Sequence, residues 1–537
     1  MGAMPSRPPG GFQARTPQRA EWVLVPMCLA VMLVVGGMTS LNLALPDIGL
    51  GLRAGQAGLQ WIVDGYALAL SALVLPGGAL GDRFGRKRMM LLGLVILLVA
   101  LAWGAGAGSP AELLGARMLA GAGAALVFPA TLSTITAVFP ADRRGLGIAV
   151  WAASATIGGI VGLIGSGALV ESYWWGSVFV ATGAVALVTL VLTAALVPNS
   201  ADPDHAHLDP CGAVLSAAAV GGLVLGVTEG PVRGWSDGLT LAGLAAGIIA
   251  AAGFVRWELR CRRPLLDVRV FAHRGFAAGA VVVATQFFAV FGLMFLTVQY
   301  LSFVLGYGQL ASGVALAPLG ALCVPTALLA DPLARRFGRG RISATGMGIT
   351  ALGTLLLVPM STASSYSQLC AGLVVISAGF GLAATPATAA IVGALPAAKQ
   401  GVASAINDVS RELGGALGIA AIGSAFNGPY RASIAASGAI PTQLSGLAKD
   451  SVAAGLHTAA GLGPAGGPMA DAVRDAFMHG WGIAMTVAAV ALIVGAVLVA
   501  ARTPQSADHD LLDDTLDLTD PSPELLTPAG TIHAAST

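Results

Sequence analysis

Long apolar runs separated by short charged breaks dominate the chain. Fourteen stretches read as helices across a bilayer: 22–46, 59–80, 89–107, 111–138, 146–170, 175–197, 210–229, 239–256, 275–303, 309–330, 341–361, 368–394, 402–426 and 478–501. A helix needs about 20 such residues to cross the hydrocarbon core. The first run follows a polar segment, 1–21, and is too long for the apolar part of a signal peptide, so it reads as a retained span. The pattern predicts an all-α polytopic membrane protein with 14 transmembrane helices. One long outer loop, 427–477, is too polar to span and is expected to hold a hairpin or a short helix. The segment 503–537, rich in acids, Pro, Ser and Thr, is expected to be a disordered cytoplasmic tail.

Composition sharpens this picture. Of 537 residues, 56% are hydrophobic and 10% charged, against roughly 25% charged in a soluble domain. With a mean hydropathy of +0.80, water-soluble folding is excluded. Lys and Arg number 28 and Asp and Glu 27, so net charge gives no reason to expect nucleic acid. Placement says more, because basic residues of short loops stay cytoplasmic. With the N-terminus inside, the outer segments hold only Arg53, Arg233, Arg431, Lys449 and Arg474. Arg117 and Arg411 fall within spans, and the other 21 basic residues are cytoplasmic. Both termini are therefore expected on the cytoplasmic side. Lys87, Lys399 and Lys449 complete no Walker A loop, the five scattered cysteines give no C-x-x-C, and the histidines give no H-E-x-x-H. His205-Ala206-His207, with Asp202, Asp204 and Asp209 nearby, reads as a solvated linker rather than a metal site. No cofactor is expected.

The loops repeat. Asp82-Arg83-Phe84-Gly85-Arg86-Lys87-Arg88 is echoed 253 residues later by Arg335-Arg336-Phe337-Gly338-Arg339-Gly340-Arg341. Pro140-Ala141-Asp142-Arg143-Arg144-Gly145 is echoed 256 residues later by Pro396-Ala397-Ala398-Lys399-Gln400-Gly401. Two matches at nearly one offset argue for a duplicated six-helix unit, residues 22–197 and 275–502, with two further helices within the linker 198–274. Parallel repeats of this kind place a substrate site near the midplane, where the halves meet.

Gly78-Ala79-Leu80-Gly81-Asp82-Arg83-Phe84-Gly85-Arg86-Lys87 resembles the loop 2–3 signature of the major facilitator superfamily. Further stretches resemble its fourteen-span drug:proton antiporters of the EmrB/QacA/SmvA type. They are Leu43-Ala44-Leu45-Pro46, Trp61-Ile62-Val63-Asp64-Gly65-Tyr66, Arg117-x-x-x-Gly121-x-Gly123, Trp174-Trp175-Gly176-Ser177-Val178-Phe179, Leu266-Asp267-Val268-Arg269-Val270-Phe271 and Arg411-Glu412-Leu413-Gly414-Gly415-Ala416-Leu417-Gly418. The likeness covers residues 22–502. It implies the major facilitator fold, a monomer in a bacterial cytoplasmic (inner) membrane, and efflux of hydrophobic, often cationic compounds in exchange for protons. The chain departs from the pattern in three places. Gly37 stands where the family has an acid in span 1, ahead of Thr39 and Asn42. The span 5 motif reads Gly162-Leu163-Ile164-Gly165-Ser166-Gly167, without its proline, and Ala120 replaces the Gln before Gly121.

An ionisable group inside a span is costly and by default functional. Asp64, Arg117, Asp408, Arg411 and Glu412 are therefore the candidates for proton coupling. Asp64 lies ~7 Å from the outer end of span 2 at 1.5 Å per residue, beside Trp61 and Tyr66. It is either a proton carrier or cation-recognising acid, or a hydrated residue in an aromatic belt. Asp408 and Glu412 share a helical face, ~9 and ~15 Å deep, with Arg411 beside them. Two carboxylates so close in a low dielectric do not both ionise cheaply, a property antiport can use; the alternative is a structural triad locking span 13. Arg117 either holds a nearby carboxyl ionised or caps backbone carbonyls.

Substrate contacts are expected from Asp64, Trp61, Tyr66, Asn42 and Asn407, and in span 9 from Gln286, Phe287, Phe291 and Phe295. Facing a cavity, these rings would bind apolar cations through cation–π contact; facing lipid, they would have no such role. Gly78, Asp82, Arg83, Gly85, Arg86, Arg336 and Gly338 are expected to gate, with charges at helix ends latching one conformation; the plain alternative is a topology signal. The leading reading is a proton-coupled multidrug exporter working by alternating access. A dedicated exporter of one metabolite or antibiotic, and a non-transport receptor or enzyme, are the alternatives. The expected partners are the lipid bilayer, protons and drug-like small molecules.

Overall fold

The computed structural model describes residues 17–41, 43–54, 56–140, 143–198, 209–395 and 399–502. Asn42, the 205–207 linker, the acidic tail and parts of the second loop echo lie outside the described residues. Among the described residues the regular structure is helical, without strands. The first half runs α1 (Pro17–Thr39), α2 (Leu45–Leu52), α3 (Gln56–Phe84), α4 (Arg86–Ala105), α5 (Pro110–Val138), α6 (Arg144–Ser172) and α7 (Ser177–Leu196). Two further helices follow, α8 (Pro210–Arg233) and α9 (Gly238–Glu258). The second half runs α10 (Arg274–Phe303), α11 (Gln309–Ala315), α12 (Pro318–Ala321), α13 (Cys323–Phe337), α14 (Arg339–Leu357), α15 (Tyr366–Gly393), α16 (Gln400–Ala436), α17 (Ser445–Asp450), α18 (Val452–Gly461) and α19 (Gly467–Arg502).

Several expected bounds change. Span 1 is not one helix over 22–46, since α1 stops at Thr39 and α2 begins at Leu45. Span 10 is broken into α11, α12 and α13, and it runs on to Phe337 rather than ending at 330. Pro318 and Pro325 lie at these breaks, and proline removes a backbone donor. The Leu322 N–H, left outside the helical ladder at the second break, donates to Ser377 Oγ at 3.2 Å, so a neighbouring helix satisfies it, as lipid cannot. Span 13 extends to Ala436 and span 14 begins at Gly467. The loop between them holds α17 and α18, pinned by Tyr430 Oη donating to Ala448 O at 2.5 Å and Arg431 Nε donating to Lys449 O at 3.2 Å.

Twelve helices are long and apolar enough to cross a membrane by length and composition. The other two of the expected fourteen are α14 and α16, which pack inside the bundle but are more polar. α14 opens on Arg339 and Arg341, and α16 carries Asp408, Arg411 and Glu412. Composition therefore supports twelve of the fourteen spans.

The same packing occurs twice. α1 lies on α6 and α7, α3 on α5, and α4 on α5 and α7; correspondingly α10 lies on α16 and α19, α13 on α15, and α14 on α15 and α19. Gly85 (φ 100°) and Gly338 (φ 92°) make the same turn in each half, in a region that glycine enters without steric cost. Each half is fused by a backbone crossing at small residues. A Cβ on Gly162 would come 2.6 Å from Gly36 Cα, and one on Gly414 2.3 Å from Ala284 O. α8 and α9 cross likewise, with a Cβ on Gly247 falling 2.5 Å from Leu223 N. Such crossings replace the missing hydrophobic drive between helices in lipid with close packing.

Between the halves, α3 and α5 meet α16, and α6 meets α11, α12, α13 and α15, while α8 covers one edge by packing on both α3 and α16. Gly162→Leu has no room at the α1–α6 crossing. Overpacking of this kind costs about 1–3 kcal/mol, so the purified variant should unfold at a lower temperature than the parent, whereas Gly165→Leu, with open space around it, should not.

Candidate functional site

The charged side chains expected inside the spans form one group within the first half, around Arg117, and one between the halves, on α16. Arg117 on α5 is 3% exposed. Its Nε donates to Ile62 O at 3.1 Å and its Nη1 to Gly37 O at 2.9 Å, and its guanidinium carbon lies 4.4 Å from the centre of the Tyr66 ring. Of the two roles expected for Arg117, the geometry provides carbonyl capping. Gly37, where the family has an acid, offers only its backbone oxygen. Tyr66 is held in turn by Oη donating to Val34 O at 2.9 Å. A cavity of about 20 Å³ lined by Gly37, Ser40, Tyr66 and Arg117 lies beside this group. It is large enough for one water, and Arg117 Nη2, buried and without a partner, borders it.

α16 brings the second group. Asp408 is 0% exposed, Arg411 4% and Glu412 6%. Asn407 Nδ2 approaches Asp408 Oδ1 at 3.4 Å, and Thr388 Oγ1 donates to Asn407 Oδ1 at 3.0 Å. Arg411 Nε stands 3.7 Å from Glu412 Oε1, too far for a hydrogen bond, and both atoms are buried without one, as is Asp408 Oδ2. The Arg411 guanidinium instead sits over two rings, 4.2 Å from the centre of Phe128 and 5.2 Å from that of Phe287. Phe128 belongs to α5 in the first half and Phe287 to α10 in the second.

The remaining expected contacts divide. Phe287 meets Phe291 and Phe380 edge-on at 5.4 and 5.3 Å, and Phe291 lies against Gly415 of α16. Phe295, in contrast, is 45% exposed and falls outside this cluster. Gln286 is turned into the second half, where its Nε2 donates to Thr350 Oγ1 of α14 at 3.2 Å. Trp61 is half-buried. Asp64 has a buried Oδ2 without a partner and takes a hydrogen bond from Gln60, with the Glu229 carboxylate nearby. Glu229 on α8 is 3% exposed and pairs with Arg233. It was missed because it is the last residue of the expected span 210–229, where a charge at a helix end is commonplace; its spacing of four from Arg233 was the available signal. Phe128 was missed because a lone aromatic in an apolar run carries no signal.

At the Asp82 end, charge joins the halves. Asp82, 5% exposed, accepts from the backbone N–H of Gly401 at 2.8 Å and of Val402 at 3.0 Å, at the start of α16. Arg86 holds it at 3.2 Å and also donates to Ser133 O at 3.2 Å. Gly78 and Gly401 let the backbones touch, since a Cβ on Gly78 would come 2.4 Å from Gly401 O. Thr136 of α5 donates to Gln400 of α16 beside them. On the symmetry-related side, the Asp331 carboxylate of α13 lies against Gly145 at the start of α6; a Cβ there would be 2.1 Å from its Cγ. Asp331 also pairs with Arg335 at 3.0 Å. Arg336 is exposed and lies over its neighbour Phe337 at 5.2 Å, as Arg83 does over Phe84 at 5.6 Å. Lys399 donates to Pro264 O at 3.2 Å. Burial holds its ammonium below the usual lysine range, opposed by the Asp267, Glu258 and Asp82 carboxylates.

The opposite end is closed by apolar contact. Gly167 of α6 meets Leu43 and Leu310, and Gly313 of α11 meets Ile164 and Leu163. The buried charges are thus covered from both ends.

A carboxylate accepting two helix-terminal N–H groups contributes through charge-assisted bonds of about 1.5–3 kcal/mol each. Asp82→Ala should therefore speed backbone hydrogen exchange in the peptide 400–404 by more than tenfold, read by mass spectrometry, while leaving α10 unchanged.

The sequence model of the Major Facilitator Superfamily matches residues 27–419. The chain is 34% identical to the multidrug efflux pump LfrA of Mycolicibacterium smegmatis, over 90% of this chain and 96% of the relative. It is 31% identical to the tetracenomycin C resistance and export protein of Streptomyces glaucescens, over 89% and 91%. In fold it is similar to the crystal structure of the human organic anion transporter MFSD10 (TETRAN), with a TM-score of 0.62 at 14% identity, covering 90% of this chain and all of that one. The doubled six-helix packing, the glycine turn shared by both halves and these matches have one source: the chain is a multi-pass membrane protein belonging to the Major Facilitator Superfamily.

Proposed function

We propose that this protein is a proton-coupled multidrug efflux transporter, exporting hydrophobic, cationic compounds from a bacterial cytoplasm by alternating access. The observation that carries the reading is the pair of carboxylates on α16, Asp408 and Glu412. Each is buried at the seam with one oxygen lacking a hydrogen bond. Removing a carboxylate from water penalises its charged form, and a proton or an organic cation relieves the penalty. The efflux activity in the relative's name, multidrug pump, fits a site recognised by charge and ring faces rather than by a fixed hydrogen-bond pattern. Membership of a transporter family sets aside the enzyme alternative.

In this reading Asp408 and Glu412 exchange protons, with Arg411 as their counter-charge. Phe287 and Phe291 offer ring faces, and Asp64, with Trp61 and Tyr66 on the same helix, forms an outer acidic station. Arg117 holds α1, α3 and α5 together rather than carrying a proton. Asp82, with Arg86 and Gly78, latches the cytoplasmic side, and Gly85 and Gly338 set the turns. Both termini lie in the cytoplasm, the chain works as a monomer, and the lipid bilayer surrounds it. A dedicated antibiotic exporter is the second reading, favoured by the relative that exports tetracenomycin C.

Ethidium efflux in energised everted vesicles tests the reading. Wild-type transport should stop when a protonophore is added, and Asp408→Asn and Glu412→Gln should each lower the energised rate at least tenfold. Transport that survives the protonophore, or both variants at the wild-type rate, would overturn it. A panel of unrelated cations, of which only one is moved, would favour the dedicated exporter.

A further inference from the structure

Arg411 occupies an unusual position for a buried arginine. A guanidinium has five N–H donors in a fixed fork, and burying such a cation ordinarily requires a close carboxylate or carbonyls, as Arg117 has. No hydrogen bond reaches Arg411 Nε, and the nearest carboxylate oxygen, Glu412 Oε1, stands off at 3.7 Å. Beside this loose ion pair and the nearby Asp408 charge, what the cation touches is a pair of ring faces, Phe128 at 4.2 Å and Phe287 at 5.2 Å. Phe128 is fixed by stacking on Trp151 at 5.9 Å, and Trp151 Nε1 is tied to Thr131 Oγ1 at 2.9 Å. Phe287 is fixed by Phe291 and Phe380. The slot is therefore preformed, apolar and contributed by both halves, and its occupant is a flat cation belonging to the protein itself.

We infer that Arg411 is an internal stand-in for the substrate: it occupies the Phe128–Phe287 slot, and an aromatic organic cation entering from the seam displaces it onto Glu412. Ring faces of this kind do not distinguish a guanidinium from another delocalised cation except by fit and hydration. Displacement closes the 3.7 Å gap, so the loose Arg411–Glu412 ion pair becomes a hydrogen-bonded one at the moment the slot changes occupant. If Glu412 enters this step protonated, its O–H bond breaks as the pair forms, and the proton leaves to water on the side from which the substrate came. The other groups facing the exchange are Asp408, one turn before Glu412, and Tyr66, which senses Arg117, Arg411 and Glu412 together. The role assigned to Arg411 is that of a competitor and messenger, beyond a passive counter-charge.

This inference rests on the exporter reading and is tested separately from it. Ethidium binding to the purified full-length protein is measured by fluorescence, with proton release followed by an indicator dye in weak buffer. Arg411→Gln removes the competitor, so ethidium should bind at least fivefold tighter than to wild type, and the proton released on binding should be lost. A merely structural arginine predicts the reverse, weaker binding, and equal or weaker binding by a variant that melts like wild type overturns the inference. Should Arg411→Gln fail to fold, Phe128→Leu keeps the arginine and removes one ring face. It should weaken ethidium binding about tenfold, the scale of a desolvated cation–π contact, and leave the neutral dye Nile red unaffected. Unchanged ethidium binding in Phe128→Leu overturns the inference as well. Absence of protonophore-sensitive efflux by wild type overturns the exporter reading instead.

Discussion

Charge that has left water must be held by the protein, and the layout of this molecule follows from how that is done. The idealised penalty for moving one ion into a dry interior is of order 20 kcal/mol, and several remain after relaxation. Arg117 meets it with two helix carbonyls and a tyrosine face. Asp82 meets it with two N–H groups and an arginine. The α16 trio meets it only in part, leaving Asp408 Oδ2, Arg411 Nε and Glu412 Oε1 buried without hydrogen bonds. Asp82 is thereby fully satisfied, and Arg117 lacks a partner only at Nη2. The trio, in a seam between the two halves, is left short of partners at three atoms, which is what the proposed function asks of a site that exchanges a proton for a cation.

The contrast extends to the helix crossings. Within each half, backbones touch through glycines, at Gly36 with Gly162 and at Gly414 with Ala284. Packing that close is lost outright by a small displacement, so each half behaves as a unit. The seam differs. At one end it is closed by a carboxylate on a helix terminus, and at the other by leucines against Gly167 and Gly313. Both contacts can be broken and remade without unwinding a helix. Asp331 lies against Gly145 at the related crossing, an acid again placed at the start of a helix, with Arg335 as its hydrogen-bond partner.

Much of the architecture was legible because lipid enforces it: apolar runs of about 20 residues become helices, and a loop copied at an offset of 253 brings its glycine turn with it. The failures have physical causes. α14 and α16 were recognised as spans, yet α16 is polar because its charges face protein, which hydropathy along the chain does not register. The breaks at 40–44 and 316–322 depend on partners in other helices, such as Ser377. At the site, the acids were visible as costly residues, whereas their neighbours were not. Gln286 and Phe287 are adjacent in sequence and point into different surroundings, and only packing determines that Phe287 rather than Gln286 reaches the seam. Phe128, from the other half, has no local signature at all, and Glu229, from the inserted pair, has only Arg233 four residues on.

The charge balance at α16 then bears on energetics. With both carboxylates ionised, the trio of Asp408, Arg411 and Glu412 carries one net negative charge; one proton or one monovalent organic cation cancels it, and both together overshoot. In a low dielectric the neutral arrangement is favoured, so under the proposed function proton and substrate would substitute for one another at this site. Such an exchange moves no net charge across the membrane. A neutral substrate exchanged for one proton would gain ~2.3 kcal/mol from each 100 mV, enough for roughly 50-fold accumulation. A cation exchanged one for one gains nothing from voltage and draws on the pH difference alone. Use of the voltage requires a second proton with its own station; outside α16, the described acids with a buried oxygen left unpartnered are Asp64 on α3 and Glu258 at the end of α9, and of these Asp64 lies within the half that faces α16, so the proposed exchange would draw on it.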